Sequence, residues 1–273
     1  MARGIRLAGG LALAGAGLTA GLFAAQASQD SAQAATRSAP APQPGPLLVG
    51  AAPFHDDFSS FDRKRWSISD GWRVGKWMAN DWRRSQSRFD NSLTLTMEPN
   101  QTDLASYSSG EVQSRATYGH GYYEARMKAG GGSGNVTGFF TYTGPHYGDE
   151  WDEIDVEIIG RAPREVMFTY FRDGKKESYI HKLDYDATQE SHVYGFDWQP
   201  EYIRWYVDGE LIHEADGSKL QLPIQKQKIM VSLWGSETQT EWLGPLDDSA
   251  LPSRAVFDCI AYSRDFASRQ PCE

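Results

Sequence analysis

Apolar and polar residues alternate with a period of two in several short stretches of the chain. The alternation is clearest over residues 93–97, 121–128 and 202–207. Successive side chains of an extended strand point to opposite faces, so this period predicts β-strands with one buried face each. Asp173-Gly174 and Asp208-Gly209 are dipeptides typical of tight hairpin turns. No stretch of the sequence after residue 50 has a convincing helical period, and we therefore predict an all-β sandwich of many short strands.

The stretch Trp151–Ile159 carries an acidic version of the same pattern. Its acidic residues share one face of the predicted strand and its branched apolar residues share the other: Glu153, Asp155 and Glu157 alternate with Ile154, Val156 and Ile158. The apolar face is suited to packing in a core. The other face holds three carboxylates in a row, with neighbouring backbone positions about 6–7 Å apart.

Carboxylates held this close repel one another, which raises at least one pKa and leaves a protonated acid beside ionised neighbours. Glycoside hydrolysis needs such a pair, one group as the nucleophile and one as the acid that protonates the leaving oxygen. The outer pair is about 13 Å apart along an ideal strand, so the carboxyl groups must lean inward to reach the roughly 5–5.5 Å of a retaining enzyme. Trp151 directly precedes the row and offers a flat apolar surface for a sugar ring. Two other interpretations remain at this point, a solvated strand face and a Ca²⁺ site made of acidic oxygens.

The first fifty residues differ from the rest of the chain in composition. Residues 1–27 have the layout of a secretory signal peptide, with Arg3 and Arg6 before an apolar run and small residues after it. An uncleaved membrane anchor is the alternative. Residues 28–50 are rich in Ala, Ser, Gln and Pro and are predicted to be a disordered linker. The globular domain is predicted over residues 51–265, secreted or periplasmic and without a membrane contact once the signal is cleaved.

Charge and cysteine content narrow the class of protein further. The net charge of −9 argues against a nucleic-acid partner, because phosphate binding needs clustered Lys and Arg. It argues more weakly against anionic membranes and strongly acidic polymers. Cys259 and Cys272 are the two cysteines of the chain. An oxidising compartment permits a disulfide between them, and the alternative is a buried thiol at Cys259 with a frayed tail.

The acidic strand resembles the signature of the bacterial lichenases, the β-1,3-1,4-glucanases of glycoside hydrolase family 16. Glu153-Ile-Asp155-Val-Glu157 matches the form E-x-D-x-E that lacks an extra bulged residue. The resemblance covers nearly all of residues 54–263. Four further segments match in order, at residues 138–145, 194–200, 203–209 and 241–244. The resemblance implies a jelly-roll β-sandwich of two curved antiparallel sheets with a concave substrate cleft.

The same resemblance implies a role for each matching residue. Glu153 is expected to be the nucleophile, Glu157 the general acid/base, and Asp155 the residue that tunes their protonation. The residues at the sugar-binding positions are Trp72, Glu111, Gln113, Phe140, Trp151, Thr169, Phe171, Trp234 and Trp242. Trp72 stands where lichenases carry a tyrosine. For these aromatic residues, plain core packing is the alternative. A structural Ca²⁺ is also implied, held by the side chain of Asp258 and by backbone carbonyls near Asp57 and Asn91, whereas Asp258 could equally be a solvated or capping acid.

Several positions depart from the lichenase pattern. Asn80 and Ser109 replace a cysteine pair, and Gln113 replaces an arginine in the cleft. Thr169, Phe171 and Ser232 also differ, and residues 109–114 are closer to the succinoglycan endoglycanases. The reaction is therefore better defined than the substrate, which is β-1,3-1,4-glucan or a related β-glucan or exopolysaccharide.

Three functions compete at this point. The first is an endo-acting retaining hydrolase, the second a transglycosylase acting on a β-glucan, and the third a non-catalytic carbohydrate-binding sandwich. The third requires the loss of Glu153 or Glu157, and both are present. The six histidines show no metal-ligand spacing, so no cofactor is expected for catalysis. A monomer is the default expectation.

Overall fold

The computed structural model describes residues 46–100 and 102–272. The predicted signal peptide and residues 28–45 of the predicted linker lie outside this range. Within the described residues, no helix is both long enough and apolar enough to cross a membrane.

The described chain is built almost wholly from strands. They are β1 (Phe54–Asp56), β2 (Trp66–Ile68), β3 (Asn80–Trp82), β4 (Ser87–Phe89), β5 (Leu93–Pro99), β6 (Tyr107–Ser109), β7 (Glu111–Ser114), β8 (Gly121–Lys128), β9 (Asn135–Thr143), β10 (Asp152–Ile159), β11 (Glu165–Arg172), β12 (Lys175–Lys182), β13 (His192–Trp198), β14 (Tyr202–Val207), β15 (Glu210–Asp216), β16 (Lys228–Gly235) and β17 (Ser253–Ser263). The helical elements are one short α-helix, α1 (Thr240–Leu243), and 3₁₀ turns at Arg84–Gln86, Pro145–Tyr147 and Asp248–Ala250.

These strands form two sheets that confirm the predicted all-β sandwich. The ten-stranded sheet follows the order β15-β14-β13-β8-β17-β5-β6-β3, with β1 beside β17 and β4 beside β5. The seven-stranded sheet follows the order β12-β11-β10-β9-β16-β7-β2, and all its neighbours are antiparallel. The acidic strand β10 is therefore an inner strand, held between β9 and β11.

The core between the sheets fixes β10 from behind. Ile154, Val156 and Ile158 are fully buried, as the alternation predicts. Each such side chain contributes about 1.5–3 kcal/mol through burial. Trp205 of the ten-stranded sheet stacks on Phe168 of β11 at 5.8 Å, and its indole N–H donates to the carbonyl oxygen of Asp155 at 3.3 Å. The two sheets are therefore joined directly behind the central carboxylate.

Both predicted hairpin dipeptides are turns. Asp173 and Gly174 have φ of 51° and 70° between β11 and β12, and Asp208 and Gly209 have φ of 49° and 80° between β14 and β15. Two successive positive φ angles are the conformation of a tight hairpin turn, which Asp-Gly adopts readily. The sequence signal therefore reflects the geometry that sets the register of β12 on β11.

The folded domain extends beyond both predicted boundaries. The Leu48 N–H donates to Nδ1 of His120, and the Leu48 carbonyl accepts from the His120 N–H, each at 2.9 Å. At the other end, Cys272 forms a disulfide with Cys259 and its N–H donates to the buried carboxylate of Glu124 at 2.6 Å. Residues 48–50 and 266–272 thus pack on the sandwich, and the expectation of linker up to residue 50 and of a domain end at residue 265 was wrong there. The free-thiol alternative was wrong as well.

Candidate active site

The three predicted catalytic carboxylates lie on one face of β10, opposite the buried isoleucines. We call the surface of the seven-stranded sheet that holds them the carboxylate face. Cross-strand register divides this face into rows. Glu153 lies between Tyr142 of β9 and Phe171 of β11. Paired residues of neighbouring strands share a face and lie about 5 Å apart, so both rings flank Glu153.

The next two rows contain the other carboxylates. Asp155 lies between Phe140 and Thr169, and Glu157 lies between Gly138 and Met167. Gly138 has no side chain, and the Phe140 ring and the Ser232 hydroxyl lie against this position. Asp155, in the middle of the sheet, is only 4% exposed.

Trp151 contacts the first carboxylate directly. Its indole N–H donates to Oε2 of Glu153 at 2.6 Å, and its ring stacks on Phe171 with centroids 4.6 Å apart and planes at 14°. The Trp151 side chain is nonetheless 40% exposed. It therefore holds the Glu153 carboxylate while presenting a flat apolar surface on which a sugar ring could stack.

Burial dominates the electrostatics of the row. It raises the pKa of Glu153 to about 7, against the lowering effect of the hydrogen bonds from Trp151 and Asp155. Burial and the charge of Glu153 raise the pKa of Glu157 to about 8. The pKa of Asp155 is raised well above its ordinary value by burial and by the charges of both glutamates.

The causes of these shifts distinguish the three groups. A hydrogen bond between Asp155 and Glu153 raises the pKa of Asp155 and lowers the pKa of Glu153. Hydrogen bonds from Trp151 and Asp155 lower the pKa of Glu153, whereas the charge of Glu153 raises the pKa of Glu157. Near neutral pH the arrangement therefore favours an ionised Glu153 beside a protonated Glu157, which is the combination that glycoside cleavage requires.

The calcium alternative for this strand is not supported by the geometry. Among residues 46–100 and 102–272, the one group of three possible metal-binding side chains whose ligand atoms lie within 4.8 Å of one another is His55, Cys259 and Cys272. The oxygens of the acidic row do not converge in this way, and the two sulfur atoms of the group are joined in the disulfide.

Glu111 and Gln113 of β7 form a hydrogen-bonded pair on the same face. The Gln113 amide donates to Glu111 at 2.8 Å, and Ser69 donates to the same carboxylate oxygen at 2.6 Å. Tyr147 donates to the Gln113 carbonyl at 3.3 Å. Burial raises the pKa of Glu111. Gln113, which replaces the lichenase arginine, is therefore hydrogen-bonded to the buried carboxylate of Glu111 and to Tyr147.

A second aromatic group lies near the end of β16. Trp234 contacts Trp77 at 5.3 Å and Trp242 at 5.7 Å between ring centroids. The backbone carbonyl of Trp242 accepts from Arg161 at 2.9 Å. This anchors α1 beside the turn that follows β10.

The remaining predicted sugar-binding residues differ in their placement. Phe140 lies on the carboxylate face, half-buried beside Asp155. Thr169 is buried and its hydroxyl pairs with Ser178 at 3.0 Å. Trp72 is 41% exposed and packs edge-on against Trp82. No ring contact joins Trp72 to the other predicted sugar-binding residues within the described part of the chain, so the structure does not group it with them.

The predicted calcium ligands lie at neighbouring positions on the ten-stranded sheet. Asp258 is the bulged residue of β17. The residue before it, Phe257, pairs with Leu93 of β5, and Asn91 lies two residues before Leu93 in the chain. Asp57 follows β1, which pairs with β17 up to Ile260. The Asp258 carboxylate is 3.6 Å from the Arg126 guanidinium.

Asn80 and Ser109, which replace the lichenase cysteine pair, each form a hydrogen bond to the backbone of β16. Oδ1 of Asn80 accepts from the Gly235 N–H at 3.0 Å. The Ser109 hydroxyl donates to the carbonyl of Leu233. Both bonds tie the β3–β6 pair to β16, so this region is joined to the seven-stranded sheet without a disulfide.

Sequence analysis missed several residues of the carboxylate face. They are Tyr142, Tyr147, Lys176, Ser178 and Lys228. For the four residues on strands, alternation gives the face on which each side chain lies, but the neighbours of that side chain depend on cross-strand register; Tyr147 lies in a 3₁₀ turn. The Asp173-Gly174 turn was the available signal, since a two-residue hairpin pairs Arg172 with Lys175 and therefore Phe171 with Lys176.

Comparison with known proteins identifies the family. The family described as Glycosyl hydrolases family 16 matches residues 74–249. The chain belongs to this family. The resemblance to lichenases drawn from the motifs is confirmed.

Curated relatives of this family 16 chain carry glucanase names. A protein named Beta-glucanase from Acetivibrio thermocellus is 38% identical over 212 residues, covering 77% of this chain and 62% of the relative. This chain thus spans less than two thirds of that relative's length. A protein named Endo-1,3-1,4-beta-glycanase ExoK from Rhizobium meliloti is 36% identical over 212 residues, covering 77% of this chain and 78% of the relative.

Solved structures agree with the family 16 assignment. The structure titled Bacillus licheniformis beta-glucanase has a TM-score of 0.74 and 35% identity, covering 78% of this chain and 98% of that chain. A lichenase structure derived from a mouse hindgut metagenome has a TM-score of 0.74 and 34% identity, covering 78% and 100%. Together with the two antiparallel sheets, these matches confirm the predicted jelly-roll sandwich.

The raised pKa of Glu157 predicts a pH-dependent effect on stability. In the unfolded chain this group titrates near 4.5, whereas the folded value is about 8. Between these values the folded state binds the proton more tightly, so the free energy of unfolding falls as pH rises. Glu157→Gln cannot ionise and should raise Tm by about 3 °C or more at pH 9 and by less than about 1 °C at pH 5.

Thermal unfolding of both proteins at the two pH values measures this effect, with the exposed Glu201→Gln as the matched control. An equal Tm difference at both pH values would show that burial does not raise the pKa of Glu157.

Proposed function

We propose that this chain is an endo-β-glucanase that hydrolyses internal bonds of β-1,3-1,4-glucan or a related β-glucan with retention of configuration. The observation that carries the proposal is the row of Glu153, Asp155 and Glu157 on one face of an inner strand. Trp151 donates a hydrogen bond to Glu153 beside this row. The glucanase names of the relatives support the substrate class.

In the first step of this mechanism, a carboxylate oxygen of Glu153 attacks the anomeric carbon of the sugar. The bond from that carbon to the leaving oxygen breaks, and the proton of Glu157 passes to the leaving oxygen. The result is a covalent glycosyl–Glu153 ester and an ionised Glu157.

In the second step, the ionised Glu157 takes a proton from water as the water oxygen attacks the anomeric carbon. The ester bond to Glu153 breaks, and the enzyme returns to its starting protonation. Two displacements at one carbon retain its configuration.

Asp155 serves the nucleophile in this mechanism. A neutral Asp155 donates a hydrogen bond that lowers the pKa of Glu153 against the effect of burial. An ionised Asp155 would instead place a third negative charge between the glutamates. The high pKa of Asp155 keeps it in the donating form.

The lichenase departures bear on which β-glucan is cleaved. Gln113, Thr169 and Ser232 lie on the carboxylate face, and the first two hydrogen-bond to protein side chains. Polar groups engaged in this way read sugar hydroxyls differently from an arginine or a free amide. Comparing rates on mixed-linkage glucan, laminarin, xyloglucan and succinoglycan defines the substrate. A folded protein that releases no reducing ends from any of them would refute the hydrolase.

We also propose that the protein is secreted as a monomer and carries a structural Ca²⁺. The disulfide between Cys259 and Cys272 supports an oxidising compartment. The Asp258 carboxylate and backbone carbonyls near Asp57 and Asn91 would supply oxygen ligands, since the strands next to Asp57 and Asn91 both pair with β17. Ca²⁺ takes about six to eight oxygen ligands, so water would supply the others.

The two glutamates can be told apart by azide rescue. On an activated aryl β-glucoside, Glu157→Ala should lose about 10²–10⁴-fold in turnover of the glycosyl ester, and azide should restore it with a β-glycosyl azide product. Glu153→Ala lacks the nucleophile, so azide should attack directly and give the α-glycosyl azide. Product configuration by NMR measures the outcome, with Glu201→Ala as the control. The opposite pair of products would reverse the two roles.

The hydrogen bond from Trp151 to Glu153 can be separated from the stacking surface. Trp151→Phe keeps a ring on Phe171 but removes the N–H, and should lower kcat/KM about tenfold, as expected for a hydrogen bond to a charged group. Trp151→Ala removes both and should also raise KM. Steady-state kinetics on soluble glucan measure both effects, with the exposed Leu211→Ala as the control. Unchanged kinetics in both Trp151 variants would make Trp151 merely structural.

The calcium proposal predicts a ligand-dependent shift in stability. Adding Ca²⁺ after chelation should raise Tm of the wild-type protein, because an ion that binds only the folded state stabilises it. Asp258→Ala should lose this response, whereas Asp57→Ala should keep it because its carbonyl remains. Differential scanning fluorimetry measures the shifts. A full Ca²⁺ response in Asp258→Ala would exclude this carboxylate as a ligand.

A further inference from the structure

Lys176 lies on the carboxylate face, in the same row as Glu153. It pairs with Phe171 across β12 and β11, and Phe171 pairs with Glu153 across β11 and β10. Cross-strand partners share a face, so the Lys176 side chain projects from the edge strand on the side of the carboxylates. The adjacent Lys175 pairs with Arg172 and projects from the opposite face.

The Lys176 ammonium lies between two predicted sugar-binding rings. Its Nζ is 5.9 Å from the centroid of the Phe171 ring and 5.5 Å from that of Trp242. Cation–π attraction at these distances favours this position for a lysine. Since Phe171 also stacks on Trp151, the ammonium is held next to the aromatic surface that adjoins Glu153.

The other charged groups near this face are engaged elsewhere. Lys228 of β16 donates to the Ser114 carbonyl at 3.0 Å, and Arg172 pairs with Glu150 and Asp152. Within the described residues, Lys176 has no ion pair at 4.0 Å or less. The titratable and charged groups facing it from the neighbouring elements are Glu153, Asp155 and Glu157 of β10, Tyr142 of β9, Lys228 of β16, Glu111 of β7 and Glu241 of α1.

We propose that Lys176 is a positioning residue for the nucleophile: its ammonium, held between the Phe171 and Trp242 rings, supplies the positive charge that favours the ionised form of Glu153. The proposal rests on the proposed glycosidase function and assigns a role that the carboxylate row alone does not provide. Three acidic groups on one face, with Asp155 buried and the two glutamates half-buried, would otherwise oppose the ionisation of each. A cation that is close without forming an ion pair stabilises the charge of Glu153 and leaves its oxygens free to attack carbon.

The electrostatics of the row agree with this placement. Burial raises the pKa of Glu153, Asp155 and Glu157, and the charge of Lys176 lowers the pKa of each. Among the residues that the structure describes, no other cation lowers these three pKa values. Removing the ammonium should therefore raise the pKa of all three, and the acid limb of the pH profile, which reports Glu153, should move to higher pH.

The test compares Lys176→Met, Lys176→Arg and Lys175→Met. Lys176→Met keeps the apolar stem and removes the charge, Lys176→Arg keeps the charge, and Lys175→Met removes the same charge from the other face. The acid limb of the pH profile of kcat/KM reports the pKa of the essential ionised group in the free enzyme. Its midpoint should rise in Lys176→Met alone, and a rise of about 0.5 in pH lowers kcat/KM about threefold on the acid side. Added salt should shrink the difference between Lys176→Met and wild type.

A second measurement does not depend on turnover. NMR titration of the Glu153 carboxyl carbon, assigned by its loss in Glu153→Gln, should show a higher midpoint in Lys176→Met than in wild type, Lys176→Arg or Lys175→Met. An unchanged midpoint, or equal changes in Lys176→Met and Lys175→Met, would overturn the proposal. Because the titration needs no substrate, a protein inactive on every glucan would refute the proposed function and still decide the role of Lys176.

Discussion

The site depends on one constraint, the strict two-residue alternation of β10 in the middle of a sheet. Ile154, Val156 and Ile158 are fully buried in the core, and this fixes the direction of the residues between them. A one-residue slip of the strand would place three carboxylates in the core and three apolar side chains on the surface, at a large cost in free energy. The packing that stabilises the fold therefore also determines the direction in which Glu153, Asp155 and Glu157 project. The hydrogen bond from Trp205 to the Asp155 carbonyl supports the strand at its midpoint.

The same arrangement makes the acidic row unfavourable for stability. The three groups are raised in pKa chiefly by burial, so their charged forms are disfavoured in the folded protein. The surrounding groups offset this for Glu153 in particular, since Trp151, Asp155 and Lys176 each lower its pKa. For Glu157, Lys176 is the group that opposes burial. Glu153 thus has several hydrogen-bond donors and Glu157 has few, and this asymmetry distinguishes the proposed nucleophile from the proposed acid on a strand whose sequence is nearly symmetrical about Asp155.

Sequence could predict the features that depend on local periodicity. The strand at residues 152–159, the Asp-Gly turns and the burial of the isoleucines follow from alternation and turn chemistry. The neighbours of each carboxylate depend on the register between strands, as with Phe140, and the contact of Trp242 with Lys176 depends on the position of α1 outside the sheets. The C-terminal boundary failed for a similar reason. The segment after residue 265 has no strand pattern, and it is held by the disulfide and by the buried Glu124.

Net charge proved a poor guide to the electrostatics of the carboxylate face. The chain carries −9 overall, yet Lys176 and Lys228 lie at the two ends of the row that has Glu153 at its centre. Charges on a solvated surface are screened over about 8–10 Å, so distant acids contribute little to the potential at Glu153, whereas a lysine two strands away contributes directly. Lys176 is on an edge strand whose outer side has no neighbouring strand among the described residues. A substitution there changes the charge near the carboxylate row without disturbing the pairing of β9, β10 and β11, so the edge strand is where the pH dependence can vary independently of the fold.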